Sequence, residues 1–550
     1  MSQNNTPNEG PDFSAGMAVD SIEDGAILRG HVRGEAALAI RKGDAWRIVG
    51  ATCSHYGLPL AEGLVVDEEI HCPFHHARFC LKSGKVLGAP ALDPIASWSI
   101  DIHDGIVRAG QKQVAESPVT PPKSLKTSTH ALIDGTETID PSRLDTRIVI
   151  IGGGAAGNAA AEMLRAKGHR GSITMLSADA DRPYDRPKCS KAVLSGQAKL
   201  ESVMLRDAGF YEQCRITLHT QTTVTKIDPA TKTVSTREQG AFEYDALLIA
   251  TGAEPKKLEV PGADLGHVHY LRTLRDTQSL IDASTGGSDS EADTTMQSSS
   301  VHGTPKRAVV IGASFIGLET AASLRARGLD VSVVSPAPLP MEKLLGKPLS
   351  DKLRAVHEQH GVTFHVGSTV DAIDAHHVHL DDGSKLPADL VVVGIGVAPR
   401  VDLAKAAGIT VGEGIVVNAL LQTNIPDIYA AGDVAEWPDP FDGQPVRIEH
   451  WVVAERQGQA IAQTLLGSGK PFRQSPFFWS IQYDFGIGYI GHVRHWDHVE
   501  SDGDLDKKDW SMTYFNDGAP RAMAIVSRNH QGLEMETMLE TQMQKQAEKN

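Results

Sequence analysis

Two segments of this chain follow one plan about 160 residues apart: RIVIIGGGAAGNAAAEMLRAKG, turning at Gly152, and RAVVIGASFIGLETAASLRARG, turning at Gly312. Each runs from an apolar strand through a glycine turn into a helix and on to a second strand, SITMLS or DVSVVS. That is the βαβ opening of a parallel sheet. The glycines permit a tight turn and bring the N–H groups of a helix N-terminus against a pyrophosphate. A lone match is weak, but two in this context imply two bound nucleotides. Gly152, Gly154 and Gly157 complete the first fingerprint, and Asp179, 22 residues beyond Gly157, stands where an acid would hold the ribose, with Asp181 nearby. The second reads Gly312, Ser314, Gly317, a small serine replacing the middle glycine. Ser335 and Ala337 occupy the places where an acid would indicate NAD and a basic cluster NADP, so the choice between NADH and NADPH stays open.

At 550 residues the chain exceeds a single core and divides into several domains. A net charge of -16 without a basic block argues against nucleic acid. No apolar run approaches the ~20 residues of a membrane span, and the opening MSQNNTPNEGPDFS lacks both the basic and the apolar part of a leader, so a cytoplasmic protein is expected. The cysteines are Cys53, Cys72, Cys80, Cys189 and Cys214, with no CxxC pair, which favours metal ligation or free thiols over a disulfide framework.

Residues 26–109 alternate short apolar and polar positions between turn pairs, the pattern of a small all-β domain. Within it stand Cys53-Ser54-His55, sixteen intervening residues, then Cys72-Pro73-Phe74-His75. Two thiolates can hold one iron and two imidazoles a second. A single zinc on the same four residues is the alternative, although zinc fingers place paired Cys before paired His. Cys80 breaks the ligand spacing and reads as a packed side chain. His76 reads as a solvent-facing bystander to His75.

CSHYGLPL and CPFHHARFCLKSGKVLGAPAL resemble the cluster loops and proline loop of Rieske ferredoxins. The resemblance implies a [2Fe-2S] cluster on Cys53, His55, Cys72 and His75. Leu58 and Phe74 lie near places where high-potential members carry extra cysteines, so the ferredoxin type is expected. Farther on, YDRPKCSKAVLSG (184–196), ATGAEP, FIGLE, VAPR, YAAGDVAEWP and IEHWVVAERQG resemble the flavoprotein NAD(P)H:ferredoxin reductases and the apoptosis-inducing-factor group. The Rieske-first order resembles the apoptosis-inducing-factor-like branch.

This resemblance implies a multidomain chain: an all-β Rieske domain, then an α/β reductase with two dinucleotide-binding domains, then a C-terminal α+β domain. The expected boundaries are 16–112 for the Rieske domain, 113–145 for a linker, 146–270 with 390–470 for FAD, 271–389 for NAD(P) with a low-complexity loop at 284–305, and 471–550 for the last domain. It also implies FAD contacts at Arg186, Thr251 and Gly252, a ribityl contact at Gly432 and Asp433, and Glu449, His450, Trp451 and Trp479 close to the flavin. Lys191 and Glu319 would face each other where nicotinamide stacks, each keeping the other charged. Chosen without that context, such charges belong on a surface and such tryptophans in a core.

The implied activity is an FAD-dependent NAD(P)H oxidoreductase that passes hydride to FAD and single electrons through the cluster to a one-electron acceptor, protein or small molecule. No CxxxxC or CxxC accompanies the first fingerprint, which disfavours disulfide reduction, and no D-x-x-H-x-x-x-x-H iron site suggests an oxygenase. The rivals are a redox-responsive signalling flavoprotein with little turnover and an enzyme whose N-terminal domain is only a docking module.

Overall fold

The apolar run IVII forms the strand Ile148–Ile151, buried at all four positions and paired on both sides, as a central parallel strand must be. In this computed structural model, which describes residues 10–113, 139–285 and 306–549, it lies in a five-stranded parallel sheet. Its neighbours are Ile173–Leu176 and Ile216–His219 on one side and Ala246–Ile249 and Ile428–Ala430 on the other. The last of these strands arrives only after the chain has built the second unit. Most of the expected linker and of the low-complexity loop lie outside the described residues.

The second unit repeats the design around Arg307–Ile311, flanked by Asp330–Ser335 and Val362–Val366 on one side and Leu390–Val393 and Val268–Tyr270 on the other. Each unit also carries a three-stranded antiparallel meander, Val224–Asp228 to Gly240–Glu243 in the first and Val370–Ile373 to Lys385–Pro387 in the second. The helix Ala155–Ala166 owes its alanines to its neighbour. It packs on the helix Trp451–Leu465 so closely that a Cβ on Gly458 would sit 2.2 Å from the Ala156 carbonyl oxygen.

The N-terminal alternation folds into two antiparallel sheets, one of six strands and one of four spanning Leu64–Val66 to Val86–Gly88. Phe13, Trp46, Ile48 and Trp98 fill one core and Leu38, Leu60, Ile70 and Phe79 the other. Cys80 is buried, as a packed side chain should be. The C-terminal part is a five-stranded antiparallel sheet, Phe477–Gln482 through Ala519–Val526, followed by the helix Asn529–Lys549. Among the described residues no helix is long and apolar enough to cross a membrane.

Candidate active site

The two cluster loops are built alike. In each, the cysteine N–H donates to a carbonyl five residues on and the cysteine carbonyl accepts from the N–H four residues on: Cys53 with Leu58 and Gly57, Cys72 with Ala77 and His76. The position four residues beyond each cysteine is left-handed, φ 72° at Gly57 and 62° at His76. The loops bring the predicted ligands together as two pairs. The sulfurs of Cys53 and Cys72 are hydrogen-bonded, which raises the Cys53 thiol and lowers that of Cys72. The His55 and His75 ring centroids are 5.0 Å apart. Burial pushes His55 down to about 3 and His75 well below the usual range, so both imidazoles are neutral and keep a lone pair for a metal. Nδ1 of His55 is buried without a hydrogen-bond partner. Among the described residues no three Cys, His, Asp or Glu side chains surround a single point as one ion requires. Two sulfurs and two nitrogens in separate pairs fit a two-iron cluster.

The bystander reading of His76 is overturned. Its side chain is fully buried, stacks on Phe477 with centroids 3.8 Å apart, and bonds through Nδ1 to Glu536 Oε2 at 3.0 Å. Arg456 binds the other Glu536 oxygen at 2.7 Å and donates to the His76 carbonyl at 3.1 Å. Beside them Arg78 pairs with Glu540 at 2.6 Å. Breaking such a buried set by deleting one charge typically costs about 3–5 kcal/mol, because the partners stay buried and uncompensated. Elsewhere on this interface Arg206 joins Asp93 at 2.8 Å and Glu162 at 2.7 Å, Gln459 accepts the Ala89 N–H at 3.0 Å, and the Tyr56 hydroxyl donates to Asp185. The cluster-bearing domain is therefore seated on the reductase with its histidines inward.

Inward means against Trp479. Its ring is 4.4 Å from that of His75 and 6.3 Å from that of His55. The resemblance implied a place beside the flavin; the ring contacts found are with the two predicted ligand histidines. Tyr56, stacked on His55 at 3.7 Å, completes this aromatic group.

Lys191 and Glu319 do meet, Nζ to Oε2 at 2.9 Å, with Glu319 buried and Lys191 partly exposed. Ser190 donates to the same oxygen at 2.6 Å and Ser480 to the other at 2.7 Å. Ser480 and Trp479 are strand neighbours, so their side chains leave opposite faces. One faces the Lys191–Glu319 pair and the other the cluster histidines.

Around the first fingerprint, a Cβ on Gly157 would lie 2.0 Å from the Gly152 carbonyl oxygen, while one on Gly154 would meet nothing within 4 Å. The helix N-terminus there is open and has no side-chain cap. At the second, a Cβ on Gly317 would likewise lie 2.1 Å from the Gly312 carbonyl oxygen, and Ser314 itself caps the helix. Its Oγ accepts from the Gly317 N–H at 3.2 Å and donates to the Gly394 carbonyl at 2.9 Å. Asp179 follows the second strand of the first unit and accepts from the Tyr184 hydroxyl at 2.8 Å. Thr251 donates to the Arg400 carbonyl at 2.9 Å beside Gly252, and the Gly432 N–H reaches Gln457 at 2.8 Å.

Asp433 is paired with Arg272 at 2.7 Å. Nε atoms of Arg186 and Arg272 and Nδ1 of His450 are buried without a protein partner, which suits them to bond a polar ligand. Burial holds His450 near 3, and it raises Glu449 despite Arg447 at 2.5 Å. Trp451 opens the helix Trp451–Leu465 and bonds to Glu455, whose burial lifts its carboxyl well above the ordinary range. These residues fit a flavin dinucleotide on their chemistry. Ser190, Ser480, Arg272, Gln457 and Tyr56 were missed from sequence, although Ser190, Gln457 and Tyr56 lie inside the quoted YDRPKCSKAVLSG, IEHWVVAERQG and CSHYGLPL segments.

Residues 146–458 match the family model of pyridine nucleotide-disulphide oxidoreductases and residues 14–99 that of the Rieske [2Fe-2S] domain. Rhodocoxin reductase of Rhodococcus erythropolis is 38% identical over 67% of this chain and 83% of its own length. Apoptosis-inducing factor 3 of Mus musculus is 28% identical over 93% of this chain and 81% of its own. The structure of a covalent putidaredoxin reductase–putidaredoxin complex superposes with a TM-score of 0.66 at 32% identity, covering 72% of this chain and 93% of that one. The chain thus belongs to the pyridine nucleotide-disulphide oxidoreductase family, as a ferredoxin-reductase-like FAD- and NAD(P)H-dependent oxidoreductase with a Rieske [2Fe-2S] domain of its own.

Proposed function

We propose that this chain takes hydride from NAD(P)H beside Lys191 and Glu319 and delivers electrons singly, past Trp479, to its own Rieske cluster, from which a ferredoxin-type carrier is served. The observation that carries this is the strand Phe477–Gln482: Ser480 Oγ lies 2.7 Å from Glu319 and the adjacent Trp479 ring 4.4 Å from His75. Bound FAD turns a two-electron hydride donor into one-electron steps, and a [2Fe-2S] cluster accepts them.

The chain's residues supply position and electrostatics. Gly152, Gly154 and Gly157 leave a helix N-terminus open to the pyrophosphate, and Asp179 stands for the ribose. Arg186, Thr251, Gly252, Gly432 and Asp433 surround the remainder of the dinucleotide, with Arg272 fixing Asp433. Neutral His450, with Glu449 and Trp451, borders the flavin ring. Gly312, Ser314 and Gly317 receive the nicotinamide nucleotide, and Lys191 held by Glu319 orients its reactive end. Cys53, Cys72, His55 and His75 hold the cluster.

Relatives named as ferredoxin, rhodocoxin and putidaredoxin reductases are each named for a partner; here the first acceptor is part of the same polypeptide. Anaerobic mixing with NADH and, separately, NADPH, following flavin bleaching and the cluster's paramagnetic signal together, tests the reading. Glu319→Gln should slow bleaching about tenfold or more, and Trp479→Ala should slow cluster reduction while leaving bleaching alone. Unaltered bleaching in the first variant removes the nicotinamide assignment, and unaltered cluster reduction in the second removes the route. The likeness to apoptosis-inducing factor 3 across 93% of the chain supports a second reading, redox signalling, whose mark is very slow turnover with an artificial one-electron acceptor.

A further inference from the structure

Beyond the residues that touch Glu319, a chain of buried side chains leads away from it. Ser480 Oγ donates to Glu319 Oε1 at 2.7 Å, Gln482 Nε2 donates to Ser480 Oγ at 3.2 Å, and Gln482 Oε1 meets His357 Nε2 at 2.9 Å. Ser480 is 1% exposed, and Gln482 and His357 are fully buried. The direction of every bond follows from the inventory of donors. A carboxylate only accepts, so the single Ser480 hydrogen points at Glu319. Ser480 can then receive only from the amide nitrogen of Gln482, which turns the amide oxygen to His357. That oxygen requires His357 to carry its hydrogen on Nε2, leaving Nδ1 bare, and Nδ1 is indeed buried without a partner. Burial pushes His357 down to about 4, so it stays neutral and keeps that one tautomer. All the hydrogens run one way, His357 to Gln482 to Ser480 to Glu319, and each bond polarises the next.

The chain also crosses three parts of the fold. His357 lies near the end of the helix Glu342–Gln359 of the second dinucleotide unit, Ser480 and Gln482 on the first strand of the C-terminal sheet, and Glu319 on the fingerprint helix Phe315–Ala326. Leu345, Leu349, Leu353 and Val356 of the first helix pack into that sheet against residues such as Phe485 and Tyr514, so the starting point is rigid. Tyr483 and Phe364 close around the His357 ring at 5.2 and 6.0 Å.

We infer that His357 is a positioning residue for hydride transfer, fixing Glu319, and through it Lys191, by way of Gln482 and Ser480. This rests on the proposed role of Glu319 at the nicotinamide site. An amide in the middle makes the chain a brace and not a proton conduit, since Gln482 passes on orientation without readily giving up a proton.

The test is a double-mutant cycle on the FAD-loaded protein, with two readouts: the rate of flavin bleaching by NADH and NADPH, and the dissociation constants of NAD+ and NADP+ from the change in flavin absorbance of the oxidised protein. His357→Leu keeps volume and removes the donor; it should slow bleaching about three- to tenfold and weaken nucleotide binding about threefold. His357→Gln, which returns an N–H near the same place, should stay within about twofold of the parent. In a Glu319→Gln background His357→Leu should change neither readout further. Should His357→Leu lose its flavin, Ser480→Ala, which deletes one oxygen, replaces it in the same cycle with the same expectation. Full additivity with Glu319→Gln, failure of His357→Gln to rescue, or no effect of either chain variant overturns the inference. A silent Glu319→Gln overturns instead the reading of the nicotinamide site on which it rests.

Discussion

The two dinucleotide units are built on the same frame and differ at the mouth of the helix. Both helices are twelve residues long, both follow a glycine in the left-handed region, and both place a glycine, Gly157 or Gly317, where an added Cβ would come within 2.0 or 2.1 Å of the carbonyl oxygen of the turn. In the first unit the middle position is Gly154, with open space where a Cβ would be and the first-turn N–H groups unclaimed by a side chain. In the second, Ser314 spends its own oxygen on one of those N–H groups. A helix that must grip a resident pyrophosphate keeps its N-terminus free, whereas one whose nucleotide comes and goes gains by capping itself in between. The second helix also carries Glu319 just past its first turn, where the first has alanine at the matching place, Ala159. The first unit is thus shaped to hold and the second to hold briefly and orient.

The comparison can be broken most sharply at the shared glycine. Gly157→Ala and Gly317→Ala each force a Cβ into a carbonyl, a clash beyond the ~1–3 kcal/mol of ordinary overpacking. Gly157→Ala should purify without flavin, judged by its absorbance, while Gly317→Ala should be yellow yet fail to bleach with NAD(P)H. Loss of flavin in both would erase the division of labour.

Stripping the flavin should have the next largest effect. A ligand present at about 1,000 times its dissociation constant adds ~4 kcal/mol to stability. The melting temperature should fall on removal of FAD and return with FAD, whereas NAD+ or NADP+ should move that of the holoprotein far less. Exchanging the middle residues is subtler. Gly154→Ser should install a cap and compete with the pyrophosphate, weakening FAD about tenfold. Ser314→Gly should cost only a few tenths of a kcal/mol and leave nicotinamide affinity unchanged or tighter. Calorimetric titration of each nucleotide measures both.

The smallest effect concerns a pair of matching clamps. Arg147 binds Asp245 and Arg307 binds Asp389, in each case by two side-chain bonds, with the arginine's backbone N–H also donating to the carboxylate. The Arg307 side-chain bonds hold Asp389 at about 2, and those of Arg147 lower Asp245. A depressed folded value means that the contribution is complete above the unfolded value of ~3.9 and is lost as pH falls through about 2 for Asp389. Both arginines are nearly half exposed, so the clamps are worth little. Arg147→Ala and Arg307→Ala should lower the melting temperature slightly and alike at neutral pH, and the gap from the parent should close between about pH 4 and pH 2.

Much of this was legible where the chemistry is local. The proposed cluster ligands Cys53, His55, Cys72 and His75 fall in two short turns, so spacing alone was enough to pick them out as candidates. The Lys191–Glu319 contact was implied by resemblance and not by any pattern within either segment. His76 was misread because its environment is made by Glu536, 460 residues away. Its left-handed φ, the conformation glycine usually supplies, is maintained by that bond and by the stack on Phe477. The contact of Trp479 with His55 and His75 was not foreseen, because sequence names a strand without saying which face meets the docked N-terminal domain.

By itself the sequence determined the elements whose causes lie within a few residues: the strand, glycine turn and helix of each nucleotide unit, the C-x-H and C-x-x-H loops, and the antiparallel alternation around them. Only the tertiary structure decided that the cluster histidines face Trp479, that Glu319 is braced from His357, and that His76 is locked beneath the last helix. Those contacts join segments far apart in the chain, and a buried polar atom is satisfied by whatever partner packing brings to it. No periodicity or spacing along the sequence encodes that partner.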